Sequence, residues 1–167
     1  MSAGIDGRLV VITLLAAWLG ATIIVGAVVA PAAFAVLPTR TLAGALVGRV
    51  LPPLFWSGAG IGVIAAVVAW RSQRIPALVA ALAIVAATTA AQIIVAPRIE
   101  AIRVSAGGPI DALPRDDARR ITFGRLHGVS VALLGVAAIA AAATLLLTAR
   151  AAPAAPPLTL RTSHDHG

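Results

Sequence analysis

The chain contains no cysteine, no lysine and no tyrosine, and only 11% of its residues are charged. Without cysteine there is no disulfide, no thiolate nucleophile, no cysteine-ligated zinc and no iron–sulfur cluster, and the redox compartment leaves no mark on the sequence. Soluble domains carry about 25% charged residues, so the shortage of charge means that water is not the main solvent of this chain. Catalytic signatures are missing as well. There is no GxSxG, no P-loop, no HExxH and no acid pair set for a cleft, so a non-enzymatic protein is expected.

Apolar residues make up 60% of the 167 residues, and the mean hydropathy is +1.00. Several apolar stretches come near or exceed the roughly 18 residues that mark a membrane span, so hydrocarbon must cover them. The expected fold class is all-α, an integral membrane four-helix bundle. Its domain occupies about residues 1–150, with spans near 9–30, 50–70, 76–96 and 128–148, followed by a proline-rich disordered tail at 151–167. The first run, LVVITLLAAWLGATIIVGAVVA, exceeds the roughly 7–15 apolar residues of a signal core and reads as a retained helix.

Punctuation refines these limits. Pro31 can kink the first helix without ending it, and Pro38-Thr39-Arg40 is the expected turn. Residues 41–49 extend the second helix beyond the bilayer, Pro52-Pro53 bend it near its start, and Trp70-Arg71 anchor its far end. Pro76 suits the first turn of the third span, and Pro97 followed by charge marks its exit. The connection after Pro97 holds an amphipathic piece, PRIEAIRV, and a break at Gly107-Gly108-Pro109. A new helix is expected from about Pro114, running without interruption through Phe123 and His127 to Arg150.

Small residues recur four apart at Gly44 and Gly48, Gly58 and Gly62, and Gly124 and Gly128, a spacing that lets helices approach closely and is compatible with a homo-oligomer or a membrane-protein partner. The two halves share helix pairs, with no inverted repeat of broken helices.

The net charge is +7 and every basic residue is an arginine, yet no basic face large enough for nucleic acid exists outside the spans. The arginines stand at the ends of apolar segments, where the expected partners are the lipid bilayer and its anionic headgroups. Four spans put both termini on one side. That side has Arg8, Arg71, Arg74, Arg150 and Arg161, whereas the loop side has Arg40, Arg49, Arg98, Arg103, Arg115, Arg119, Arg120 and Arg125. The bias leans slightly towards a cytoplasmic loop side, although Arg8 beside the first helix argues the other way.

Polar groups gather at loop-side depth: Arg49 at the start of the second span, Gln92 near the end of the third, Arg98, Glu100 and Arg103 after it, and His127 entering the fourth. Ionisable groups near membrane depth are candidates for function, but interfacial snorkelling and inter-helix hydrogen bonding are the favoured reading. His127 has no second intramembrane histidine, cysteine or methionine with which to hold metal or haem, so no cofactor is expected. His164-Asp165-His166 could offer a divalent cation a weak hold, but in a floppy tail no metal site is expected.

Three stretches carry a resemblance: WLGATIIVGAVVAPAAFAVLPTRTLAGALVGRVLPPLFW at 18–56, PRIEAIR at 97–103 and FGRLHGVS at 123–130. Together they resemble the bacterial membrane family called domain of unknown function 4149, which is similar to transmembrane protein 205 of eukaryotes, and the likeness runs from about Arg8 to Leu147. The family positions carried here are Trp18, Gly20, Pro31, Phe34, Gly44, Gly48, Pro97, Arg103, Phe123 and His127. Aromatic residues that often follow the first Trp-x-Gly are Ile, Val and Ala in this chain. The resemblance implies a four-helix membrane protein and no particular activity. A looser likeness to the copper resistance protein D and membrane protoporphyrinogen oxidase group would want a histidine in the early helices, which this chain lacks. The expected role is a membrane accessory or scaffold component. The alternatives are a small metal or solute transporter and a haem-binding redox protein.

Overall fold

A computed structural model describes residues 2–150, with side chains from residue 7; the expected tail at 151–167 lies outside the described residues. Helix α1 runs from Ser2–Ile24 through a π turn at Val25–Val29 into Ala30–Val36. Helix α2 is Arg40–Arg71. Helix α3 has the same three-part build as α1, with Ile75–Ala90, a π turn at Ala91–Val95 and Ala96–Ala106. A short 3-10 turn at Ile110–Ala112 precedes α4, Ala118–Ala149. There is no strand among the described residues. All four helices are long and apolar enough to cross a membrane, so this is a multi-pass membrane protein.

The helices form a ring in which α1 packs on α2 and α4, and α3 packs on the same two, so α1 and α3 hold opposite corners. The main core fills the terminal-side half and the middle, built from Val11, Leu15, Trp18, Leu54, Ile84 and small residues such as Ala65, Ala81, Ala137 and Ala141. Alanine dominates because lipid tails give no hydrophobic push towards the interior, and helices gain instead by close van der Waals contact. Gly58 and Gly62 mark the tightest approaches: a Cβ at Gly58 would stand 2.7 Å from the Trp18 ring, and one at Gly62 would stand 2.8 Å from Val85. Gly124 and Gly128, with the same spacing, face open space. A second, smaller core of Ala33, Ala43 and Val47 joins the loop-side ends of α1 and α2.

The helix ends are built from local chemistry. Thr39 caps α2 by accepting from the Leu42 N–H at 3.2 Å. At its other end, the Arg74 N–H reaches the Ala69 carbonyl and the Gln73 N–H the Trp70 carbonyl, with Gln73 at φ 55, a position that glycine usually fills. Helix α3 ends at Gly107, whose φ of 64 is left-handed. Arg8 donates from Nη2 to the Ala149 carbonyl at 3.2 Å, so a cation from α1 meets the negative end of α4.

The structure corrects two expectations. Pro97 does not end the third helix, because the widened π turn before it makes room for the proline ring, and PRIEAIRV is the continuation of α3 rather than a separate piece. Helix α4 begins at Ala118 rather than near Pro114, because Asp117, with extended backbone at φ −60 and ψ 126, is the residue that caps it.

The halves also share more than helix pairs. Thr22 and Thr88 are both buried, and each hydroxyl donates to the carbonyl one turn back, Trp18 and Ile84 respectively. Each threonine is followed at the same distance by a π turn and then by Val-Ala-Pro, at Val29-Ala30-Pro31 and Val95-Ala96-Pro97. Both helices run from the terminal side to the loop side, so the repeat is a parallel one about an axis along the bundle.

Candidate functional site

The described chain has two polar ends, and the loop-side end is the richer. Three helices converge there. The Arg103 guanidinium of α3 lies 5.6 Å from the centre of the Phe123 ring on α4, and its Nη1 lies 3.6 Å from where a Cβ of Gly48 on α2 would stand. Phe123 in turn stacks on His127, with ring centres 6.4 Å apart and planes 5° from parallel. Glycine at 48 leaves room for the guanidinium, and the four-residue step from Phe123 to His127 sets the two rings on one helix face.

Arg103 makes no hydrogen bond among the described residues, and its one ion-pair partner there is Glu100, one turn back at 3.9 Å. The Phe123 ring and Gly48 flank the guanidinium, and the long Glu100 pair leaves part of its donor fork open.

The other candidates divide. Arg49, Arg98, Glu100 and His127 are exposed, and Gln92 is half-buried at the π turn of α3. Arg49, Arg98 and Gln92 form no hydrogen bond or ion pair among the described residues, so the structure draws only Gly48, Glu100, Arg103, Phe123 and His127 into one cluster. Trp18 and Gly20 lie in the first part of α1; Trp18 is buried, whereas a Cβ at Gly20 or Gly44 would meet nothing within 4 Å. Pro31 and Pro97 sit just after the π turns, and Phe34 is 52% exposed on the outer face of α1.

The sequence pattern gave no sign of the network below the cluster. In the connection, Arg119 donates to the Ser105 carbonyl at 3.2 Å, and Arg120 donates to the Leu113 carbonyl at 2.7 Å and the Asp111 carbonyl at 3.3 Å. Two of the loop-side arginines are thus structural, pinning the segment between α3 and α4. Asp117 accepts from the side chain and the N–H of Arg119, and these bonds lower its pKa from 3.8 to about 2.

Two shallow grooves, of 360 Å3 along Ala66, Trp70, Leu78 and Leu82 and of 350 Å3 along Val85, Thr89 and Ile93, run over lipid-facing side chains and contain none of the candidate residues.

Residues 13–107 match the family model described as domain of unknown function (DUF4149). The match takes in most of α1, all of α2 and α3, both π turns and Arg103; Phe123 and His127 lie beyond it. No curated protein and no solved structure matches the chain.

Proposed function

The chain belongs to the domain of unknown function 4149 family, and on that premise we propose that it is a non-enzymatic accessory or scaffold component of a bacterial inner membrane whose loop-side face engages anionic lipid headgroups. The observation that carries this reading is the Arg103 guanidinium, over Phe123 and beside Gly48, with a single, long ion pair to Glu100 among the described residues. Depth supports it. Arg103 lies seven residues beyond the apolar span that ends at Ala96, about 10 Å at 1.5 Å per residue, which is the level of headgroup phosphates. The eight loop-side arginines favour a cytoplasmic loop side, where anionic lipid is encountered.

A transporter would turn Arg49, Gln92 and His127 towards a shared interior, and a haem protein would bury a histidine. Exposure of Arg49 and His127 favours the accessory reading over both. The outer face of α4, where Gly124, Gly128 and Gly135 touch nothing, offers a second copy or another membrane protein a smooth helix to lie against. Crosslinking in native membranes checks that part.

The main test is thermal unfolding in nanodiscs of phosphatidylcholine with and without phosphatidylglycerol. Anionic lipid raises the midpoint for the native chain, and Arg103→Gln removes most of the rise while leaving the midpoint in pure phosphatidylcholine unchanged. Equal midpoints in the two lipids overturn the reading. A haem absorption band or stoichiometric metal on the purified protein, lost in His127→Ala, would replace it with the redox or metal-handling alternative.

A further inference from the structure

The parallel repeat places the same interruption in α1 and α3, at opposite corners of the ring and the same depth. In each, the residue before the proline donates five residues back, Ala30 to the Val25 carbonyl and Ala96 to the Ala91 carbonyl. The prolines themselves donate nothing, so the carbonyls of Ala27 and Ile93 lose their ordinary helical partners. The threonine hydroxyls bonded one turn back weaken the ladder just before each π turn, since such back-bonding bends helices. Three separate departures from helical bonding fall within about ten residues, twice, in register.

Packing is thin on the loop side of each interruption. The segment Ala96–Ala106 has no buried residue, and Ala30–Val36 has one, Ala33, which belongs to the small loop-side core. The parts before the interruptions supply Val11, Leu15, Trp18, Ala81, Ile84 and Ala87 to the main core. Rigid halves therefore meet loosely packed halves at the two π turns, and low-stability segments are the ones that move. Side chains diverge where backbones agree. Counted from the prolines, Arg98, Glu100 and Arg103 of α3 correspond to Ala32, Phe34 and Leu37 in the first half, so only the second segment carries the polar cluster.

The geometry points to a conformational device: the chain is a tandem pair of helical hairpins whose first helices carry matched hinges, and the loop-side segments swing on them against a fixed terminal-side core. The α3 segment takes Arg103 with it, so the distance between its guanidinium and Gly48 changes with the hinge angle. Bends in membrane helices of this composition are tolerated because neighbouring helices keep the freed backbone groups away from lipid.

Because the chain lacks cysteine, two nitroxide labels can be introduced without background. One pair, Val36→Cys with Val104→Cys, reads the two swinging segments at positions 80% and 72% exposed. A reference pair, Leu9→Cys with Val79→Cys, reads the same two helices before their interruptions. Pulsed electron paramagnetic resonance in nanodiscs is expected to give a broad or two-peaked distance distribution for the first pair and a single narrow one for the reference. Adding Pro31→Ala and Pro97→Ala should remove the excess width of the first pair. A first pair as narrow as the reference overturns the proposal, and so does excess width that survives both proline replacements. The reference pair, measured in the same variants, separates loss of the hinge from loss of the fold.

Discussion

The indole Nε1 of Trp18 on α1 donates to the Leu54 carbonyl of α2 at 2.9 Å, and the same carbonyl accepts from the Ser57 hydroxyl at 2.9 Å. A buried carbonyl inside a helix thus holds a neighbouring helix by one bond, while the ring that makes the bond lies flat against Gly58. Replacing Trp18 by Phe keeps most of the ring and removes the donor. With Ser57 still in place the cost should be about 1 kcal/mol. Unfolding in mild detergent titrated with dodecyl sulfate measures it, and Trp18→Phe combined with Ser57→Ala should cost more than the two single changes added together.

Glycine replacements should separate contact faces from open ones. Gly58→Ala drives a methyl to within 2.7 Å of Trp18, and Gly62→Ala drives one to within 2.8 Å of Val85 with the Ala81 carbonyl 3.3 Å away. Each is expected to destabilise by about 1–3 kcal/mol in the same unfolding assay. Gly124→Ala and Gly128→Ala meet nothing within 4 Å and should leave the unfolding of the single chain unchanged. A loss at Gly128 as large as that at Gly62 would mean that a partner helix occupies this face.

Gln73 is the one described non-glycine residue with positive φ, and its left-handed conformation closes α2 before α3 begins. A side chain costs about 1–2 kcal/mol in that region. Gln73→Gly should therefore raise stability by about 1 kcal/mol, less whatever its Nε2 contact with the Trp70 carbonyl at 3.3 Å contributes. No change in the midpoint would mean that the turn relaxes in the membrane.

Asp117 gives the cap of α4 a pH dependence. Its carboxyl is lowered from 3.8 to about 2 by the side chain and N–H of Arg119, so its stabilising effect is complete above about 3.8 and disappears as pH falls through about 2. Hydrogen exchange at the amides of residues 119–122 should quicken across that interval. Asp117→Asn retains a capping oxygen and should abolish the pH dependence while keeping most of the protection at neutral pH.

The apolar runs made the four helices and their order legible, because nothing but a membrane accommodates so many of them in so short a chain. Helix extent was not legible at Pro97, where proline and charge together resemble an exit. Whether a proline ends a helix depends on the turn before it, and the π turn at Ala91–Val95 has no composition of its own. The parallel repeat is hard to read for a related reason: in sequence it shows only as a threonine and a Val-Ala-Pro at equal spacing, and the π turns and hydroxyl bonds that give those residues meaning have no composition of their own. Equal spacing also failed to rank the glycine pairs. Gly58 and Gly62 face neighbouring helices, whereas Gly124 and Gly128 lie away from the face that α4 buries, and spacing carries no direction. Arg103 and His127 are legible as members of one loop-side polar group and Phe123 as a helical neighbour of His127; the contact of Arg103 with Phe123 requires the α3 helix to continue past its proline.

Helices α2, α3 and α4 extend by about ten residues past the expected spans 50–70, 76–96 and 128–148 on the loop side, and stop almost flush with them on the other. With the expected spans in the membrane, the loop-side ends would stand some 15 Å proud of one leaflet, by the roughly 1.5 Å rise per residue of a helix. A water-borne visitor, whether an antibody, a protease or an assembling protein, would meet a pedestal there.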